Sequence, residues 1–132
     1  LIIYLEVKMQ TPSFYNHCIE QMTHIPNAVK NLVEYAYSGD IEARNKIAHR
    51  ISQFSFNAGA LTMDVGLPKE SSYDLTPPIM EAFIRGDYRS SWDLMTFAGR
   101  TILENIEAKR AAQQTYTENL EGLGMMDMTL GC

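Results

Sequence analysis

The sequence predicts an all-α fold of about five helices, the last four paired as two helical hairpins related by an imperfect internal repeat. Three observations carry that prediction. Apolar residues recur at three- and four-residue spacing along most of the chain, the period of one helix face. Thr11-Pro12 and Thr76-Pro77 each have the form of an N-cap followed by proline at the first helical position, where its missing N–H costs nothing. Gly39-Asp40 and Gly86-Asp87 each have the form of a helix stop followed by the cap of the next helix.

At 132 residues and 15.0 kDa the chain has the size of one domain, so residues 1–132 are expected to form a single helical unit with a leader over 1–10 and a tail over 122–132. Hydrophobic content of 45% and charged content of 20% are those of a packed globular protein, far from disorder. The start, Leu1 to Met9, carries Glu6 and Lys8 and is too short for a signal-peptide core or a bilayer span, and Met9 is an alternative start. Cys18 and Cys132 have no partner spacing, which fits a reducing compartment, so a cytoplasmic location and no membrane association are expected.

The elements follow in order. A first helix should run from Pro12 to about Met22, and Pro26 should end it or open the next, because proline disfavours a helical residue before it. Ile25, Val29, Leu32, Val33 and Ala36 then give the apolar face of a second helix that stops at Gly39. Beyond Asp40, the stripe Ile47, Ile51, Phe54, Ala58 and Leu61 makes a third helix, with Glu42, Lys46, His49, Arg50 and Gln53 on its other faces. Gly66 to Asp74 reads as a loop. Ile79, Met80, Phe83 and Ile84 form a short fourth helix ending at Gly86. A fifth carries the stripe Trp92, Met95, Gly99, Ile102 and Ile106 until Gly122 and Gly124 end it. Met125, Met126 and Met128 mark the tail as either a docking segment or the last piece of a core.

Arg85-Gly86-Asp87 is the tripeptide of many adhesion ligands, but a second stretch gives it a plainer meaning. The segments 33–47 and 80–94, VEYAYSGDIEARNKI and MEAFIRGDYRSSWDL, align without gaps at an offset of 47 residues and share Glu and Gly-Asp. A repeated helix, glycine stop, aspartate cap and helix accounts for the pair on packing grounds.

Catalytic and metal chemistry find little support. His17 and His24 lie about 10 Å apart along one helix axis, too far to share an ion, and no paired spacing of histidines or cysteines occurs. Neither a nucleophile elbow nor a phosphate-binding loop is present. Glu104 and Glu107 share a helix face, but Arg110 follows Glu107 at the spacing of an ion pair. Asp40 with Arg44, Glu42 with Lys46 and Glu81 with Arg85 stand at the stabilising four-residue spacing. No enzyme activity, cofactor or metal is expected.

Stacked side by side, the two hairpins would bring Tyr37, Arg85, Tyr88 and Arg89 to one edge, a mixture that protein interfaces favour. The expected function is therefore a non-enzymatic protein-binding module: a small regulator, inhibitor or assembly factor, whose size and acidity would suit a virus-encoded inhibitor as well. With a net charge of −5, its partner is expected to be a protein with a basic surface. The alternative is a DNA- or RNA-binding regulator acting as a homo-oligomer, a dimer, with Arg44, Lys46, His49 and Arg50 of the third helix as its reading element.

Overall fold

A computed structural model describes residues 12–64 and 76–122, and among them all regular structure is helical. The helices are α1 (Pro12–Lys30), α2 (Val33–Tyr37), α3 (Ile41–Asp64), α4 (Thr76–Ile84) and α5 (Tyr88–Gly122). The Thr11 cap, the 66–74 loop and the methionine tail lie outside the described residues. α1 packs on both α3 and α5, α4 lies along α5, and the short α2 touches α3 and α5 at one end.

The expected break at Pro26 does not occur. α1 continues through it to Lys30, and the chain turns at Asn31 and Leu32, where the Leu32 N–H donates to the Val29 carbonyl at 2.9 Å. Proline denies the Met22 carbonyl its usual donor four residues on. Tertiary burial outweighs that loss: Met22, Ile25 and Val29 are at most 2% exposed, and Pro26 is buried among them. On the other side of the same carbonyl stands Gly99 of α5. A Cβ there would overlap the Met22 oxygen and lie 3.3 Å from its carbonyl carbon, so only glycine lets the two backbones pass this closely. The second helix thus loses its first half to α1 and survives as the five residues of α2.

The stripes of the two long helices build the core. Ile47, Ile51, Phe54, Ala58 and Leu61 are each 1% exposed or less, and Met95, Ile102 and Ile106 face them from α5. Burying such side chains contributes about 1.5–3 kcal/mol apiece, which makes these two helices the backbone of stability. Trp92 differs from expectation: it is half-buried, with the Lys30 ammonium 5.8 Å from its ring centroid. In α4, Ile84 is 76% exposed and Ala82, not part of the expected face, is fully buried. The buried Ser91 hydroxyl donates to the Ile79 carbonyl at 3.0 Å, tying α5 to α4.

Candidate functional site

Two helix junctions meet at one edge of the molecule. In the first, Gly39 takes a φ of 97°, its N–H reaches the Ala36 carbonyl at 3.2 Å, and the Asp40 N–H reaches the Tyr35 carbonyl at 3.1 Å. This double return is the Schellman closure, which needs a left-handed residue and so favours glycine. Asp40 Oδ1 then accepts from the Glu42 and Ala43 N–H groups at 2.9 and 3.2 Å, capping α3. The second junction repeats the pattern: Gly86 has a φ of 82°, its N–H reaches Phe83 at 2.9 Å and that of Asp87 reaches Ala82 at 2.9 Å. Asp87 caps α5 through the Ser90 N–H at 3.1 Å and the Ser90 hydroxyl at 2.7 Å.

Side chains bridge the junctions. The Tyr37 hydroxyl donates to Asp87 Oδ1 at 3.2 Å and accepts from the Arg89 N–H at 3.0 Å. The Arg89 guanidinium lies 5.7 Å from the Tyr37 ring centroid and pairs with Glu34 Oε1 at 2.6 Å. Beneath them, Tyr88 sits edge-on to Tyr37 at 5.2 Å and to Phe83 at 5.7 Å. Arg44 covers the Tyr88 ring at 5.6 Å while its Nε donates to the Ala36 carbonyl at 3.0 Å. The carboxyl of Asp87 is held below the usual carboxylate range, chiefly by the Ser90 hydroxyl, then by the Ser90 amide, with smaller help from Tyr37 and Arg85.

All four residues chosen from the sequence stand at this edge, in different roles. Tyr37, Tyr88 and Arg89 touch one another, whereas Arg85 turns to Glu81 at 3.4 Å. Tyr88 is only 7% exposed and lies beneath the edge, its ring between Tyr37 and Phe83. Arg44 turns to the Ala36 carbonyl and the Tyr88 ring while Asp40 caps α3, and Arg110 lies 5.2 Å from the Tyr15 ring.

Sequence reasoning missed Glu34, Arg44 and Asp87 as bridging groups, although all three lie inside the aligned segments. It also missed that Tyr35, Ile41 and Ile84, in the residues flanking the junctions, are 62%, 70% and 76% exposed. Their exposure depends on how each helix is rotated, which a local motif does not encode.

Among the described residues, no group of three or more His, Cys, Asp or Glu is placed to hold a metal ion, and no helix is long and apolar enough to cross a membrane. The edge carries the Tyr37 ring and the guanidinium groups of Arg85 and Arg89 on a frame of hydrogen bonds that joins the two junctions. No protein-family model, curated protein or solved structure matches the chain.

Proposed function

We propose that this chain is a non-enzymatic protein-binding module, a small regulator, inhibitor or assembly factor, that docks through the edge where the two junctions meet. The observation that supports it is the pair of bridges Tyr37–Asp87 and Arg89–Glu34 between junctions whose flanking residues include the exposed apolar side chains Tyr35, Ile41 and Ile84. Large apolar groups left in water beside arginine and tyrosine are characteristic of contact surfaces. The bridges hold Tyr37 and Arg89 in place beforehand, so less side-chain freedom is lost on docking. The net charge of −5 steers the protein toward a partner with a basic surface.

A recognition-helix reading of α3 draws less support. Arg44 is engaged with Ala36 and Tyr88, and Lys46 with Glu42 at 3.2 Å, which leaves few free cations for a phosphate backbone along that face.

The test is affinity capture with nuclease present, comparing the natural chain, an Ile41→Asp/Ile84→Asp variant and a Phe97→Asp control. Phe97 is 57% exposed on α5, more than two turns beyond the junction. A stoichiometric protein partner is expected with the natural chain and the control and lost with the double variant. Capture that survives the double variant would remove the edge as the docking surface, as would unchanged affinity in a folded Arg85→Ala/Arg89→Ala variant.

A further inference from the structure

We draw no further inference here: the strongest candidate, the crease between α1 and α3 lined by His17, His24, His49, Arg50 and Phe56, sets Lys46 and Arg50 against Glu42 and Glu20, and nothing in the structure shows what covers it.

Discussion

The two glycine-aspartate junctions have the same backbone closure and the same capping aspartate, yet they present different faces to the core. Around the first, Val33, Ala36, Ala43 and Ile47 are buried, while the aligned Met80, Phe83, Ser90 and Leu94 are only half-buried. Around the second, Ile79, Ala82, Tyr88, Ser91 and Met95 are buried, while the aligned Leu32, Tyr35, Ile41, Arg44 and Ala48 are not. The buried stripe has moved by one residue on each arm, a rotation of about 100° for an α-helix. The flanking helices differ too: five and 24 residues at the first junction, nine and 35 at the second. A gapless alignment here identifies a turn and a cap; the orientation of the helices on either side is set by what each packs against.

The difference is sharpest at one aligned pair. Tyr88 is 7% exposed and Ile41 is 70% exposed, so Tyr88→Ala should cost about 3 kcal/mol in denaturant unfolding, and Ile41→Ala no more than about 0.5 kcal/mol. Similar losses at both would restore the equivalence of the two junctions. The shared part predicts equal effects instead. Gly39→Ala and Gly86→Ala should each cost about 1 kcal/mol or more, since both have positive φ and an added Cβ meets nothing within 4 Å at either position.

The bridge between the junctions gives smaller effects. Tyr37→Phe keeps the ring and removes the hydroxyl that serves Asp87 and Arg89, a loss of about 1 kcal/mol by the same measurement. Asp87 supplies a signature in acid. Its folded carboxyl titrates below its unfolded value of roughly pH 4, so the stability it contributes is present above that value and is lost as pH falls through the folded one. Asp87→Asn should therefore flatten the acid limb of the stability curve, an effect that a pH series of thermal melts would detect. The smallest difference lies between two exposed ion pairs. Arg89→Ala should cost up to about 1 kcal/mol because Arg89 also covers Tyr37, and Arg85→Ala less than about 0.5 kcal/mol. Equal values would show that the aromatic contact adds nothing.

What the sequence made legible was set by local signals. The stripes of α3 and α5 were readable because long runs of apolar residues keep the helical period, and both turns were readable because glycine and aspartate have specific backbone chemistry. Pro26 misled because its penalty is local while the burial that offsets it comes from α5. Ile84 and Ala82 exchanged roles because a stop signal carries no information on rotation. At the edge, adjacency of Tyr37, Arg85, Tyr88 and Arg89 could be foreseen, but the bond from Tyr37 to a residue 50 positions away could not. The histidines were visible one by one, and the packing of α1 on α3 is what gathers them with Arg50.

The passage of Gly99 over the Met22 carbonyl also limits the routes by which this chain can vary over generations. A side chain at 99 meets backbone, which does not swing aside as another side chain would, so α5 would have to lift away from α1. Pro26 acts on the same carbonyl from within α1 by withholding a donor; a residue with an N–H there would draw the oxygen back into the helix's own ladder. The order of change then matters. Substitution at Gly99 first is blocked, whereas a prior change at Pro26 alters the obstacle itself, which makes the two positions an epistatic pair.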